Sequence, residues 1–257
     1  MKITGAAPIE LTIYPISESA VTIEFGNTID EGLMNRIGGF NRLLHQKPFP
    51  GMYDTVPAYT TLSVFFDPTA LIYNNELPGT NCFEKVSGYL KGLKDEGSSG
   101  PIVENETVNI PVCYGGPLGP DLEYVATYHH LTIDEVVKLH SAAIYKVYMI
   151  GFIPGFAYMG GLNELLETPR KESPRKAVPA GAVGIAGKQT GIYPLESPGG
   201  WQIIGQTPVS LFDASRDQPS LLKAGDKVKF EPINLSDFEQ MTINNKVAPP
   251  DGEAQGA

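Results

Sequence analysis

Four bases and one acid fall between Thr168 and Lys176, in a chain whose net charge is −10. The run reads Thr168-Pro169-Arg170-Lys171-Glu172-Ser173-Pro174-Arg175-Lys176. Prolines fix φ on both sides and hold such a loop extended. A stiff loop with paired arginines suits a carboxylate or a phosphate, because guanidinium engages these groups through two parallel hydrogen bonds. A solvated loop that counters nearby acids is the alternative, and the charge reversal alone does not separate the two.

Two further stretches have the make-up of a preformed pocket. Gly151 to Gly161 interleaves Gly151, Pro154 and Gly155 with the aromatics Phe152 and Phe156. Gly181 to Gly200 repeats that grammar, ends on Gly199-Gly200-Trp201, and carries the polar residues Lys188, Gln189, Thr190 and Tyr193. Glycine lets backbone approach a ligand and aromatics wall a cavity, although glycine-rich segments also mark tight barrel turns. His140 is a third candidate. On a helix starting at Thr132 it follows Ile133, Val136 and Val137 on one face, so a histidine replaces a core residue on the inward stripe. Such a residue is either packed and hydrogen-bonded or a pocket histidine that moves a proton, and both readings stay open. On these grounds His140, Arg175 and Gln189 are expected to face one cavity.

Several common engines are missing. The sequence has no GxxxxGK(S/T) phosphate loop, no HExxH and no GxSxG elbow, and Cys82 and Cys113 stand apart. His129 and His130 are adjacent, would point to different sides of a helix, and make a poor chelate, so no metal is expected.

The elements that must position these residues fall into two groups. Glu10–Tyr14 and Val21–Phe25 alternate like half-buried strands, and Asp30 is placed to cap a helix to about His45 with Ile37, Phe40 and Leu44 inward. Strands near Tyr53–Pro57 and over Thr61–Phe66, then a helix over about Cys82–Lys94, complete an α+β sandwich. The polar stretch from Asp95 to Pro101 marks a boundary, dividing a domain over 1–97 from one over 102–240. Beyond it come a strand over Val108–Cys113, helices from Asp121 and from the capping box Thr132-x-x-Glu135, and a turn-rich region typical of a β-barrel. Residues 241–257, and above all the tail from Lys246, have little to bury and are expected to be disordered.

The bulk numbers agree with an ordinary globular protein: 257 residues, 42% hydrophobic and 19% charged. Acidic balance argues against nucleic acid or an anionic membrane as partner. No segment reaches the length of an apolar span and the opening lacks a leader pattern, so a reduced, cytoplasmic protein is expected.

The segment from Gly151 to Leu162, then Thr168 to Pro208, resembles the signature of the family that holds the 5-oxoprolinase B subunit and allophanate hydrolase subunit 1. The likeness extends to Tyr114-Gly115-Gly116, to Gly119-Pro120-Asp121-Leu122, to His140 and to Val56-Pro57-Ala58-Tyr59, about residues 10–235 in all. The resemblance implies an N-terminal α/β domain and a mainly-β, cyclophilin-like barrel domain. It implies an ATP-hydrolysing amidohydrolase, inactive without its sister C subunit and an A subunit, that opens 5-oxoproline (pyroglutamate) to glutamate. ATP would then be bound by, or together with, one of these partners. Arg170, Arg175 and Lys188 would stabilise charge at the carbonyl or clamp the substrate carboxylate, with Gln189, Thr190 and Tyr193 beside them. Two other functions stay open: a carboxyltransferase-type component of urea or amide metabolism, which needs a biotin-bearing partner, and a non-catalytic regulator of a histidine kinase. The sequence departs from the family pattern at His130, where glycine is usual, at Met159, and at Thr60-Thr61.

Overall fold

The structure, a computed structural model, describes residues 11–28, 31–74, 76–95 and 107–247. The chain divides into two compact units, Met1–Glu104 and Asn105–Ala257. The expected linker at Ser98–Pro101 and the expected cap at Asp30 lie outside the described residues.

The first unit runs β1 (Thr12–Ser17), β2 (Ala20–Glu24), α1 (Glu31–Gln46), β3 (Met52–Pro57), β4 (Thr61–Phe66), α2 (Pro68–Ile72) and α3 (Cys82–Asp95). Its four strands form an antiparallel sheet in the order β1-β2-β4-β3. Register follows from burial. Val21 pairs with Val64 and Ile23 with Leu62, and all four are buried, as is Phe66. A slip of one residue would turn this row outward. Ile37, Phe40 and Leu44 of α1 pack into the same cluster as Val86 and Leu90 of α3. Each such side chain contributes roughly 1.5–3 kcal/mol relative to exposure. Helix α2 was not anticipated, though its start is orthodox: Asp67 accepts a hydrogen bond from the Thr69 N–H at 2.8 Å and Pro68 occupies the first turn.

The second unit contains β5 (Thr107–Tyr114), α4 (Leu122–Tyr128), α5 (Ile133–Ala142), β6 (Ile144–Ile150), β7 (Ala157–Gly160), β8 (Arg175–Val178), β9 (Ala182–Ala186), β10 (Gln189–Ile192), β11 (Ser197–Gly199), β12 (Gln202–Gln206), β13 (Lys227–Pro232) and α6 (Leu235–Val247). Seven strands close into a barrel in the order β10-β7-β6-β13-β5-β12-β9, with β13 and β5 parallel. Strands β8 and β11 form a separate two-stranded ribbon. Residues 241–247, expected to be disordered, continue α6 instead. That helix has only a weak apolar stripe, so the 3.6-residue period that exposes a helix in sequence is faint there.

Both helices ahead of β6 have defined ends. The capping box of α5 forms as expected: the Glu135 N–H reaches Thr132 Oγ1 at 3.2 Å, and Glu135 Oε2 accepts the Thr132 N–H at 2.7 Å. Helix α4 ends in a paired-bond turn, with the Leu131 N–H donating to Ala126 O and the His130 N–H to Thr127 O. This arrangement needs a left-handed residue at position 130, and His130 has φ 56°. The departure from glycine noted in the sequence therefore falls on a position whose backbone favours glycine.

Candidate functional site

Within the second unit the singled-out residues separate into a sealed interior and an outer face. His140 belongs to the interior and is fully buried. Thr190 donates its hydroxyl proton to Gly184 O at 3.0 Å, so at the 2.9 Å contact between His140 Nε2 and Thr190 Oγ1 the imidazole must donate. Nδ1 is then the acceptor for the Tyr114 hydroxyl at 2.8 Å. The result is one ordered chain, Tyr114 to His140 to Thr190 to Gly184, linking β5 to β10, which are not neighbours in the barrel. The imidazole also stacks on Phe230 of β13, with centroids 4.6 Å apart, and the Tyr145 hydroxyl holds the His140 carbonyl at 2.7 Å. Burial pushes the imidazole pKa down to about 3. His140 is thus a neutral packing residue with both nitrogens satisfied. Thr190, expected among the substrate contacts, is engaged in the same chain and buried.

The basic loop is held by a carboxylate that the sequence did not single out for chemistry. Asp121 begins α4 without capping it. Its Oδ1 instead takes Arg175 Nη2 at 2.6 Å and Lys171 Nζ at 3.1 Å, and its Oδ2 accepts the Ile203 N–H at 2.6 Å. Burial alone would raise the Asp121 pKa. The Arg175 hydrogen bond, the Ile203 N–H and Lys171 outweigh it and hold the carboxyl below its ordinary value. Arg175 therefore pairs with the chain's own acid rather than standing free. It shares no partner with His140, so these two do not meet in one cavity as expected. Gln189 is half-buried on β10, and Lys188 is exposed and pairs loosely with Glu167 at 3.5 Å.

The outer face overlies an aromatic cluster in which Phe156, Trp201 and Tyr193, the last expected as a substrate contact, are buried, Tyr158 is half-buried and Phe152 alone is exposed. Phe156 lies 4.7 Å from Tyr158, 5.1 Å from Tyr193 and 5.5 Å from Trp201, ring centre to ring centre. The β6–β7 loop supplies its rim: the Ile153 N–H donates to Gly151 O at 3.0 Å across Phe152, a three-residue turn that forces φ to 72° at a non-glycine position. The Phe152 ring is 61% exposed and rests edge-on against Phe156. Gly155, at φ 80°, closes the same loop against Phe212, with Pro154 before it. Gly199 lies so close to the Tyr193 hydroxyl that any side chain there would collide with it. Tyr158 was not singled out beforehand, because its role depends on Trp201, 43 positions away in sequence.

A cavity of about 470 Å³ borders the hydrogen-bonded chain at Tyr114 and is lined also by Gly115, Gly116, Pro120, Glu123 and Asp134 among others. The glycine-rich motif after β5 builds its wall, and none of the expected substrate-binding residues lines it. Among the described residues no group of histidines, cysteines and acids could hold a metal ion, and no helix is long and apolar enough to cross a membrane.

A family model for the carboxyltransferase domain, subdomain C and D, matches residues 11–222. The chain belongs to that family. Among its carboxyltransferase-domain relatives, the 5-oxoprolinase B subunit of Bacillus subtilis is 41% identical over 230 residues, 90% of this chain and 96% of the relative. The Haemophilus influenzae protein of the same name is 42% identical over 220 residues, 86% of this chain and 97% of its own. The crystal structure of TTHA0988 superposes with a TM-score of 0.70 at 37% identity, covering 84% of this chain and 40% of that one. Both signatures noted in the sequence fall inside the matched region.

Proposed function

We propose that this chain is the B subunit of an ATP-dependent 5-oxoprolinase, opening 5-oxoproline to glutamate together with a C subunit and an A subunit. The observation that carries the reading is 41% identity to the B subunit of a 5-oxoprolinase along 96% of that protein's length. A lactam is a poor electrophile, and ATP makes its carbonyl carbon attackable by water; the protein's task is to position the ring and stabilise charge. The outer face is the candidate for that task, its barrel being of the cyclophilin-like kind. The charge available there speaks against a triphosphate site within this chain. Arg175 and Lys171 share the single carboxylate of Asp121, which offsets one of their two charges, and Lys188 faces Glu167 loosely, so Arg170 and Lys176 are the cations of this set with no acid beside them among the described residues. Two exposed cations suit a carboxylate better than a triphosphate, so ATP is assigned to a partner or to a shared site, and the chain alone should be inactive. The family match also favours a second reading, a carboxyltransferase-type component acting with a biotin-bearing partner.

The test is co-expression with the two candidate partners, followed by an assay for ADP release dependent on 5-oxoproline. The three-component mixture should turn over and this chain alone should not. Turnover by the isolated chain, or dependence on a biotin-bearing partner instead, would overturn the reading.

A further inference from the structure

The two arginines of the basic loop have different surroundings, and the difference assigns them different work. Arg175 is anchored to buried Asp121, with a further 3.4 Å contact from Nη1 to Trp201 O. Arg170 is exposed, and among the described residues no carboxylate or carbonyl pairs with it. Its backbone is nevertheless fixed on both sides. Gln202 Nε2 donates to Pro169 O at 2.9 Å, and the Lys171 N–H donates to Gly200 O at 2.7 Å. Residues 169–171 thus run alongside 200–202, which sets Arg170 opposite Trp201. The Arg170 charge is felt by both phenols of the cluster: burial raises the Tyr158 and Tyr193 pKa values, and Arg170 partly offsets the rise in each.

Hydrogen-bonding capacity on this face is also incomplete. The Ser197 hydroxyl, 8% exposed, has no partner, and the same holds for Oε1 of Gln202 beneath the loop. Ser197 pairs with Val178 across the β8–β11 ribbon, so the two side chains share a face, and Val178 packs in the cluster of Phe156, Tyr193 and Trp201. Unpartnered buried polar atoms are uncommon, and these two lie by the loop and the aromatic cluster.

We propose that Arg170 is the anion anchor of this face, binding the carboxylate of a small cyclic amide against the Tyr158–Trp201 cluster, while Arg175 holds the loop in place through Asp121. The identity of the ligand as 5-oxoproline rests on the function proposed above; the assignment of Arg170 does not. A guanidinium left unpaired by the protein can engage a carboxylate through two parallel, charge-assisted bonds, which a lysine cannot copy.

Trp201 is the single tryptophan of the chain, so its fluorescence reports on this cluster without partner proteins or turnover. The isolated full chain is titrated with 5-oxoproline, with 2-pyrrolidinone (the same ring without the carboxylate), with L-glutamate and with inorganic phosphate. A saturable change with 5-oxoproline is expected, weakened at least about tenfold by Arg170→Gln and by Arg170→Lys, with no response to 2-pyrrolidinone. Arg170→Gln should leave the melting temperature unchanged, which separates loss of binding from loss of fold. A 5-oxoproline response that survives Arg170→Gln, a response to phosphate alone, or no response to either carboxylate overturns the anchor. An Arg170-dependent response to L-glutamate without one to 5-oxoproline keeps the anchor and overturns the proposed substrate.

Discussion

His140 and Arg170 both belong to the second unit, but His140 is sealed in an apolar surrounding whereas Arg170 is exposed on a loop whose backbone is held in place. Around His140 each donor has an acceptor: Tyr114, the imidazole and Thr190 pass hydrogen bonds in one direction and end on a backbone carbonyl. Around Arg170 the count does not close: the exposed guanidinium has no protein acid beside it, and the buried Ser197 hydroxyl and a Gln202 oxygen lack partners among the described residues. A network complete in itself has no capacity left for a ligand, whereas an incomplete one held on a rigid frame does. The histidine that looked most like a catalyst from its helical position is therefore a cross-link of the barrel. Of the two arginines of the basic loop, the one not tied to Asp121 is the better candidate for binding.

The largest effect expected from this contrast is on the closed network. His140→Leu keeps the volume roughly but leaves the Tyr114 hydroxyl without an acceptor and Thr190 without a donor. Each stranded buried group costs about 1–3 kcal/mol, so a loss of about 3 kcal/mol is expected in chemical denaturation. A loss under about 1 kcal/mol would mean that the chain of bonds contributes little, and the contrast would fail.

The same residue gives the protein a predictable pH dependence. Burial holds the His140 pKa at about 3 in the folded state, against an ordinary value of 6.5. The unfolded chain therefore binds the extra proton first. Stability contributed by neutral His140 is fully present above pH 6.5 and declines as pH falls toward 3, by at most about 1.4 kcal/mol per pH unit. His129 adds to the same trend, since burial and then the neighbouring His130 lower its pKa as well. Denaturation curves between pH 7 and 4 should show this slope, and His140→Leu should flatten most of it.

Asp121 comes next in size. Asp121→Asn removes a carboxylate that joins Arg175, Lys171 and the Ile203 amide. A fully buried pair broken in this way costs roughly 3–5 kcal/mol. Here the two cations are 27% and 31% exposed and can turn toward water, so about 2 kcal/mol is expected. The 5-oxoproline response should also weaken as the loop loosens, although Arg170 itself is untouched. An unchanged response would show that Arg170 is positioned by the bonds to Gly200 and Gln202 alone.

What the sequence could reveal tracks the distance over which each feature is encoded. The alternation in Thr61–Phe66, the inward stripe of α1 and the Thr132–Glu135 box are local patterns, and each appears where it was read. Helix α6 has too weak a stripe to be seen, and α2 is too short for periodicity to show. The roles of the site residues are set by long-range pairs. Arg175 meets an acid 54 positions away, and His140 meets Thr190 across 50. Nothing in either neighbourhood names the partner, so residue type and charge density drew attention to the basic loop without telling its two arginines apart.

The smallest effects concern backbone strain, which among the described residues occurs at two non-glycine positions, one at the end of α4 and one on the outer face. His130, at φ 56°, sits in a helix-end turn that any sequence could use, and a left-handed conformation costs a residue with a Cβ roughly 1 kcal/mol. His130→Gly should therefore raise stability by up to about 1 kcal/mol and leave the 5-oxoproline response of Trp201 unchanged. Phe152, at φ 72°, carries comparable strain, but its ring rests edge-on against Phe156 with centroids 5.6 Å apart, a contact worth about 0.5–1.5 kcal/mol. In Phe152→Gly relief and loss should nearly cancel, leaving stability within about 0.5 kcal/mol of the parent. Because the exposed ring forms part of the rim around the cluster, this variant should weaken the fluorescence response several-fold. If instead both glycine variants stabilise the protein equally and neither alters binding, the strain at Phe152 has no connection with the ligand face, and the rim must be drawn without it.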